Sequence, residues 1–423
     1  MREEFLHFLW QFRLFELGSW STTEGESLEV INPGQLNHDS GPDFLNARIR
    51  VGETEWAGNV EFHLHSGDWL AHGHQGDRAY DNLILHVVYS DNSKSGPDCP
   101  TWVCAPFVPK QYEHNWAELR KSKEKIPCAR MISQVDLGTT FGWTERLAIQ
   151  RLERKSAEIM ANLQAHNGDF RVAFYLLLMR YFGFKVNNDA FEMLARSLPL
   201  SALEKHAGSL HQVEALLFGQ AGFLEDAPKD EYQASLHREF SMLRSKFGLT
   251  PLKASIWKFS RLMPRNFPTI RLAQMAAIVH SRQGLMSITS ASAEPDDFVR
   301  ALSVPVSDYW TKHYAFGKAL SKPGNGKPGK MSIDLIIINV VVPFKFVLGK
   351  YHNKQELIDQ AIRLLENLSP EENAVIRMWN SLSLTASNAL DSQGMLELKN
   401  EYCNKKRCLN CRIGQLIIKK EES

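Results

Sequence analysis

Five of the fifteen histidines of the chain lie within residues 58–89, a stretch that also carries one glutamate and three aspartates. Imidazole nitrogens and carboxylate oxygens are the side-chain ligands that divalent metal ions commonly use in proteins. Three interpretations of the stretch are open: a metal-centred active site, a structural metal clamp, and polar residues that are close in sequence without a common role.

The segment NVEFHLH at 59–65 has the alternation of a β-strand. Side chains of a strand alternate between its faces, so Glu61, His63 and His65 are predicted to share one face, while the apolar residues between them point into a core. Charged and metal-binding groups in a row on one face are costly to bury without a partner. This face is therefore predicted to meet either solvent or a cation.

Asp43, in the segment SGPDF at 40–44, stands at the start of the preceding predicted strand. A turn near Gly52 lets the two strands pair as a hairpin. An aspartate on one strand and a glutamate on the other can bind the same Mg²⁺ or Mn²⁺ ion. We therefore predict that Asp43 and Glu61 are ligands of a divalent cation, Mg²⁺ or Mn²⁺, with Zn²⁺ as the other candidate.

Pro42-Asp43, followed eighteen positions later by Glu61-Phe62-His63, resembles the signature of the PD-(D/E)XK nucleases, with His63 where that family usually has lysine. The resemblance implies that Asp43 and Glu61 bind the ion and that His63 lies near the attacking water. A neutral imidazole is able to act as a general base near physiological pH. It lacks the fixed positive charge of the lysine, and this difference separates the chain from the family pattern.

The remaining histidines of the stretch are not explained by that signature. His65, His72 and His74 are predicted to supply further metal ligands, and His65 and His72 also to contact the scissile phosphate. A nitrogen-rich set of this kind suits Zn²⁺, Mn²⁺ or Fe²⁺. His86 lies in the apolar segment LILHVVY, where both a metal ligand and a hydrogen-bonded core histidine are open interpretations.

Three cysteines near the C-terminus, Cys403, Cys408 and Cys411, have C-x4-C-x2-C spacing. A C-x2-C pair is the usual bite for one metal ion, so the cluster is predicted to bind zinc or an iron–sulfur cluster. Three thiolates need a fourth ligand, and the sequence leaves it open among Cys99, Cys104, Cys128 and a histidine. The alternative is three cysteines that are packed or free in a reducing compartment.

The net charge of +1 hides an asymmetry between the two parts of the chain. Residues 1–110 contain 16 acidic and 7 basic residues, and the remainder contains 32 acidic and 42 basic residues. An acidic first part suits cation binding, and a basic remainder suits a polyanion such as DNA or RNA. The alternative is that surface charge differs between the domains without a functional reason, which explains the same counts.

The composition predicts a soluble cytoplasmic protein. The opening residues MREEFLHFLWQF mix acids into apolar positions and lack a signal-peptide cleavage site. The most apolar run, 335–349, is too short and too polar to span a bilayer, so no membrane association is expected. Six cysteines without a signal sequence indicate a reducing compartment.

The predicted elements are those of an α+β protein. An amphipathic helix at 3–17 precedes strand-like segments at 28–31, 44–51, 54–65 and 83–90, and helical periodicity then dominates residues 140–290. A small mixed α/β domain, similar to the PD-(D/E)XK core, is therefore expected before a larger, mainly helical region. The predicted ranges are 1–112 for the first domain, 113–321 for a helical domain, and 331–423 for a C-terminal helical segment that ends in the cysteines.

Several phrases along most of the chain resemble an uncharacterised bacterial family, the domain of unknown function numbered 2851. They include the string GPDF…NVEFHLH…DW…HGH…AY…LHVV, the helical phrases FGFKVNNDAFEMLARSLP and EALLFGQAGFL, the phrase MPRNFPTIRLAQMA, and the terminal cysteines. The resemblance brings no established activity.

Arg261, Arg265 and Arg271 surround Asn266-Phe267-Pro268 in the last of these phrases. A basic patch with an aromatic residue is able to contact a phosphate backbone, and we predict that these arginines touch nucleic acid. Arginines that cap helix ends or pair with nearby acids are the alternative.

The leading functional hypothesis is a metal-dependent nuclease in which Asp43 and Glu61 hold the ion and His63 is near the attacking water. One alternative is a non-enzymatic protein with a structural histidine-rich metal site and a helical partner-binding scaffold. Another is a different metallohydrolase that acts on a small substrate. The sequence leaves open whether the protein is an enzyme and which protein partners it has.

Overall fold

The computed structural model describes residues 1–93, 96–282, 285–289 and 294–421. They form two compact units, of which the first combines Met1–Trp143 with Leu398–Ser423 and the second is Thr144–Glu397. The predicted ranges 1–112, 113–321 and 331–423 follow one another along the chain, whereas the first unit is assembled from both ends of it. The C-terminal cysteines therefore belong to the same unit as the histidine-rich stretch.

Within the described residues, the first unit is built on a six-stranded mixed sheet. Its first part contains, in chain order, α1 (Glu3–Gln11), β1 (Leu28–Asn32), β2 (Gln35–Leu36), β3 (Phe44–Val51), β4 (Thr54–His65), α2 (Asp68–Ala71), β5 (Leu83–Ser90), β6 (Thr101–Val103) and α3 (Lys110–Lys121). The strand order is β1-β3-β4-β5-β6, with β2 also paired to β3. Strands β1, β3 and β4 are antiparallel neighbours, while β4, β5 and β6 run parallel.

Aromatic packing holds α1 against one face of this sheet. The ring of Trp10 lies 5.6 Å from that of Phe62 and 6.3 Å from that of Trp102, and all three are almost fully buried. The other face of β4 is covered by α2 and the turns that follow it, where Trp69 is buried. Because both faces of β4 are covered near Glu61, this acidic residue lies inside the unit.

The second unit is mainly helical, which confirms the predicted α+β class with a larger helical region. Its helices are α4 (Leu137–Ala165, which begins in the first unit), α5 (Phe170–Phe182), α6 (Asn188–Ser197), α7 (Leu200–His206), α8 (Leu210–Gln220), α9 (Glu231–Phe247), α10 (Pro268–Arg282), α11 (Pro295–Leu302), α12 (Asp308–Lys312), α13 (Lys330–Ile336), α14 (Val342–His352), α15 (Gln355–Asn367), α16 (Ala374–Asn380) and α17 (Ala389–Glu397). A small hairpin of β7 (His313–Ala315) and β8 (Lys318–Ala319) interrupts them.

The helical stretch Lys330–His352, formed by α13, a π-helical segment and α14, is 23 residues long. Its length and composition would allow it to cross a membrane, and 67% of its most apolar window is buried inside the structure. A core helix of this apolarity passes the same test, so the feature is weak evidence for a membrane span.

The chain ends in the first unit. A π-helical segment, Leu398–Cys403, leads to α18 (Arg412–Ile418). The side-chain amide of Asn115, on α3, donates to the carbonyl oxygens of Ile418 at 3.2 Å and Lys420 at 2.9 Å. Carbonyls at a helix end have no partner within the helix, so Asn115 both satisfies them and ties α18 to α3.

Candidate metal centre

The polar residues of the predicted strand lie in the interior of the first unit. In the parallel pair β4–β5, Glu61 is in register with His86 and His63 with Val88. Glu61 is 5% exposed and His63 is 1% exposed, under the turns that carry His72 and His74. The face predicted to meet solvent or a cation is therefore closed over by imidazole rings.

Asp43 and Glu61 are locked together by two reciprocal backbone contacts. The backbone N–H of Asp43 donates to Glu61 Oε2 at 3.1 Å, and that of Phe62 donates to Asp43 Oδ2 at 2.9 Å. The β3–β4 register shifts just after Phe44, where Asn46 has a positive φ of 56°. This bulge bends the start of β3 so that the Asp43 carboxylate lies beside Glu61 rather than continuing the ladder.

Burial, together with two neighbouring acids, makes the ionised form of Glu61 unfavourable. Burial is the main cause that raises the pKa of Glu61, to about 8, and the charges of Asp43 and Glu3 add to it. The hydrogen bond from the Asp43 backbone acts in the opposite direction. A bound cation reverses the balance, because it favours the carboxylate form.

Two imidazole nitrogens face the free oxygen of Glu61. His63, His72 and His74 offer ligand nitrogens that all lie within 4.8 Å of one another. Glu61 Oε1 lies 3.7 Å from His63 Nε2 and 3.5 Å from His74 Nε2, while His63 Nε2 lies 3.2 Å from His72 Nδ1. Ligand atoms held about 2.1 Å from a tetrahedral ion are about 3.4 Å apart. The three histidines are therefore spaced as ligands of one ion, and Glu61 Oε1 lies at ligand spacing from two of them, His63 and His74.

A buried histidine behind the group fixes the orientation of His63. His63 Nδ1 lies 2.9 Å from Nε2 of His86, which is fully buried. Burial lowers the pKa of His63 to about 3 and that of His86 to about 4, so both rings are neutral at physiological pH. A neutral ring carries one N–H, so His63 is a ligand through Nε2 only when its Nδ1–H donates to His86.

His65 does not join this group. It is exposed at the end of β4, where its Nδ1 lies 2.7 Å from Ser90 Oγ and its backbone N–H donates to Asp68 Oδ2 at 3.0 Å. Strand alternation places Glu61 and His63 on one face, but β4 ends at His65, so the alternation does not bring this last residue into the group. His72 is exposed and His74 is half-buried, so these two loop residues form the outer side of the centre.

Two residues of the opening helix also reach the centre, and the sequence did not single them out. Glu3 accepts a hydrogen bond from the backbone of Leu64, and burial followed by the charge of Asp43 raises its pKa. His7 Nε2 lies 3.2 Å from Asp43 Oδ2. The available signal was the i, i+4 spacing of Glu3 and His7, which puts both on one face of α1.

The ring of Tyr80 lies 4.4 Å from that of His74 and forms a wall of the centre. Burial, with the charges of Glu61 and Asp43, raises the pKa of Tyr80 to about 12, so its hydroxyl stays protonated at physiological pH.

The three predicted arginine contacts are in the second unit and differ in exposure. Arg261 and Arg265 are exposed, whereas Arg271 is only 5% exposed and bonds to the side chains of Asn266 and Gln274. A guanidinium group buried to this degree is not available to contact a nucleic-acid strand at the protein surface. The prediction for Arg261 and Arg265 stays a prediction.

The predicted cysteine ligands Cys403, Cys408 and Cys411 are all buried in the first unit. Their thiols interact electrostatically with that of Cys128, one of the candidates for a fourth ligand.

A family model described as "Protein of unknown function (DUF2851)" matches residues 3–374. The matched range includes every residue of the candidate metal centre and stops before Cys403. No curated protein and no solved structure matches the chain. The resemblance to the PD-(D/E)XK nucleases therefore stays a prediction.

Proposed function

The chain belongs to the DUF2851 family, and we propose that its first unit is a metal-dependent nuclease. One observation carries the proposal: Glu61 Oε1, with Asp43 beside it, faces two imidazole nitrogens at 3.5 and 3.7 Å. These separations are too long for good hydrogen bonds and suit ligands of a shared ion. Exposed His72 forms the outer side, from which a substrate phosphate has access.

The donor set favours Mn²⁺ or Zn²⁺ over Mg²⁺. Three imidazole nitrogens and one carboxylate oxygen form a mixed set, and nitrogen ligands suit Zn²⁺ and similar ions, whereas Mg²⁺ prefers oxygen. A divalent ion held there supplies two things that hydrolysis of a phosphodiester needs, a Lewis acid for a phosphoryl oxygen and a lowered pKa of bound water.

His63 is better suited to hold the ion than to take a proton from water. A general base works best with a pKa near the working pH, and burial lowers the pKa of His63 to about 3. We therefore assign His63 to metal binding and to positioning the water, with His86 as its partner. Asp43 and Glu3 remain as the acids near the outer side of the centre, within electrostatic reach of each other.

The assignment of nucleic acid as the substrate rests on the resemblance to the PD-(D/E)XK nucleases. The chain order of α1, the four antiparallel strands β1–β4, α2 and the parallel strand β5 supports the proposal, because a helix followed by strands is the order expected for the domain similar to that core. The first unit, Met1–Trp143 with Leu398–Ser423, carries 23 acidic and 19 basic residues, and this net negative charge disfavours the approach of a polyanion. Binding of DNA or RNA to this unit is therefore expected to depend on the bound ion.

The proposal is tested by cleavage of single- and double-stranded DNA and RNA by the purified chain with Mg²⁺, Mn²⁺ or Zn²⁺. We expect cleavage with Mn²⁺ or Zn²⁺, and a loss on the order of 100-fold in Glu61→Ala and His63→Ala. His65→Ala, a change on the same strand but outside the group, is the control and should keep wild-type activity. No cleavage of any substrate, or full activity of Glu61→Ala, contradicts the proposal.

The histidines favour a second candidate, a metallohydrolase of a small substrate. Three histidines and a glutamate with an exposed edge resemble the donor sets of catalytic zinc sites. A small phosphodiester with a chromogenic leaving group separates the two candidates in the same assay. Hydrolysis of this compound without cleavage of nucleic acid favours the second candidate, and metal binding without either activity favours a structural site.

A further inference from the structure

Four of the six cysteines come together in the first unit from two distant parts of the chain. Cys128 precedes the 3₁₀ turn Ile132–Gln134, and Cys403, Cys408 and Cys411 belong to the C-terminal segment. Each of the four is at most 8% exposed. Among the described residues every cysteine is a free thiol, so no disulfide explains the grouping.

The loop between Cys403 and Cys408 is anchored to the unit beside the cysteines. The ammonium group of Lys406 donates to the carbonyl oxygens of Arg120 at 2.6 Å and Ser122 at 3.1 Å, at the end of α3. Helix α18, which follows Cys411, packs on α3 and on the turn that follows Cys128. Both segments are therefore held in place by contacts other than the thiols.

The four thiols lie near enough to one another for their charges to interact: Cys128 with Cys408 and Cys411, and Cys403 with the other three. They are not as close as the ligands of a single ion, because among the described residues the group of three or more ligand atoms within 4.8 Å of one another is His63, His72 and His74. Sulfur ligands about 2.3 Å from one tetrahedral zinc ion are about 3.8 Å apart, so the spacing of the thiols suits a cluster of several metal ions better than one zinc ion.

The surroundings of Cys411 are suited to a thiolate. The backbone N–H groups of Ile413 and Gly414 donate to its sulfur. A side chain at Gly414 is excluded, because its Cβ would lie 2.2 Å from the carbonyl oxygen of Cys408. Hydrogen bonds to sulfur are characteristic of metal-bound thiolates and tune their metal centres, whereas a neutral thiol is only a weak acceptor.

We propose that Cys128, Cys403, Cys408 and Cys411 bind one thiolate-ligated metal centre that fastens the C-terminal segment to the first unit. Cys128 is the fourth ligand that the sequence left open. Cys104, which follows β6, and Cys99 interact with groups of the sheet instead. C-x4-C-x2-C spacing occurs in iron–sulfur proteins, and the thiols are spaced too widely for one zinc ion, so we assign the centre to an iron–sulfur cluster.

The test is metal and sulfide analysis of the full chain after anaerobic purification, in a His63→Ala/His72→Ala background that removes the histidine centre. We expect iron with acid-labile sulfide and visible absorption, and zinc without iron overturns the assignment. Cys128→Ser should lose most of the metal, and Cys104→Ser, which also changes a buried thiol, should keep it.

The decisive measurement uses a chain with intact cysteines, so misfolding of a cysteine variant cannot produce the contrary result. A chain with intact cysteines that holds no iron, both as purified and after anaerobic reconstitution, overturns the proposal. Full metal content in Cys128→Ser overturns the assignment of the fourth ligand. Because the histidine centre is absent from this background, neither result bears on the proposed nuclease.

A different observation points to a second ligand site, around Arg271 in the second unit. Arg271 is 5% exposed, and its guanidinium bonds to neutral side chains, those of Gln274 at 2.9 Å, Asn266 at 2.8 Å and Ser332 at 3.1 Å. Its Nε is buried without a partner among the described residues. Burial, with the charge of Arg265 second, lowers its pKa to about 10. A buried charge of this kind is costly unless an anion offsets it.

Arg271 lines a cavity of about 740 Å³, a size typical of small-molecule sites. Its walls include Arg265, Lys327 and Lys330, the glycine-containing loop 324–329, and aromatic rings such as Trp310 and Phe184. Phe184 stacks 4.0 Å from the Arg271 guanidinium. Arginine and lysine beside a glycine-rich backbone are the groups that recognise phosphate, and aromatic walls suit an apolar or aromatic body.

We infer that this cavity binds a small organic phosphate. The test is calorimetric titration of the full chain with adenosine diphosphate and with inorganic phosphate. We expect saturable binding of the organic phosphate, weakened about tenfold or more by Arg265→Ala or Lys327→Ala, and unchanged by Arg261→Ala, whose side chain is exposed outside the lining. Absence of saturable binding of both probes to the wild-type chain, or equal weakening by all three substitutions, overturns the inference.

Discussion

The pKa of Glu61 is shifted in the opposite direction from the pKa values of its neighbours His63 and His86. The pKa of its carboxyl is raised to about 8, while those of His63 and His86 are lowered to about 3 and 4. Without an ion all three groups are neutral near pH 7, and burial is the first cause in each case. An ion changes only Glu61, because neutral imidazoles are already in the form that binds metal.

Metal affinity is therefore predicted to rise with pH. Glu61 must lose its proton to bind the ion, so below pH 8 the affinity should fall by about tenfold for each pH unit, and above pH 8 it should level off. Calorimetric titration with Mn²⁺ between pH 6 and pH 9 measures this dependence. Glu61→Gln, which cannot ionise, should bind weakly and lack this step at pH 8. A wild-type affinity that is constant from pH 6 to pH 8 contradicts the assignment.

His86 is predicted to act on the centre through His63. His86→Leu removes the acceptor of the His63 Nδ1–H, so Mn²⁺ or Zn²⁺ affinity should fall by about 10- to 100-fold. His86→Gln, whose amide oxygen is able to accept the same hydrogen bond, should recover part of the loss, and His65→Ala should have no effect. Equal affinity of His86→Leu and wild type shows that His86 is only a packing residue.

At the scale of elements, the strands were predictable and their long-range neighbours were not. The predicted segments 44–51, 54–65 and 83–90 coincide with β3, β4 and β5, because alternation and branched side chains are local signals. The predicted helix 3–17 ends at Gln11, since Arg13 has a φ of +52°, outside the helical region.

The candidate site was predictable only where it lies on those strands. Alternation on β4 identifies Glu61 and His63, and the motif spacing identifies Asp43. The approach of Glu3 and the partnership of His63 with His86 depend on the packing of α1 and on the parallel pairing of β4 with β5. Local periodicity does not specify either arrangement, because both join residues that are far apart in sequence.

A buried acid on α8 gives a prediction for the second unit. Glu214 is fully buried and accepts a hydrogen bond from Tyr232. Burial raises its pKa from the ordinary value of 4.5 to about 7. A raised carboxyl pKa favours folding below pH 4.5 and loses that contribution as the pH rises to 7, because the unfolded chain ionises first.

Glu214→Gln should therefore increase the free energy of unfolding by about 3 kcal/mol at pH 8, where the glutamate is ionised at a cost, and leave it nearly unchanged near pH 4.5. Urea unfolding followed by circular dichroism should show a higher midpoint for the variant at pH 8 and no such gain at pH 5. The same destabilisation at both pH values would mean that the loss of packing, rather than ionisation, dominates at this site.

At the scale of the whole molecule, the first unit is discontinuous in sequence. The predicted boundary at residue 112 rests on a change of composition, which cannot reveal that Leu398–Ser423 returns to the first unit. Ile413, Ile417 and Ile418 of α18 are almost fully buried. Burial of a large aliphatic side chain contributes about 1.5–3 kcal/mol, so the loss of three is large compared with the stability of a domain.

A chain that ends at Glu397 is therefore predicted to destabilise the first unit selectively. Calorimetry should show the loss of one unfolding transition or a large decrease in its midpoint, and limited proteolysis should cut first within 1–143. As a control, Ile417→Ala in the full chain should lower the same transition by a smaller amount. Unchanged thermal stability of the truncated chain contradicts the role of the C-terminal segment.

The central claim is that one divalent ion binds among Glu61, His63, His72 and His74. Anomalous diffraction at the manganese edge, from crystals of the full chain grown with Mn²⁺, tests this claim most directly. The account predicts a peak about 2.1 Å from Glu61 Oε1 and from the facing imidazole nitrogens, and its loss in Glu61→Gln. A manganese-loaded crystal without a peak at this position, or an equal peak in Glu61→Gln, contradicts it.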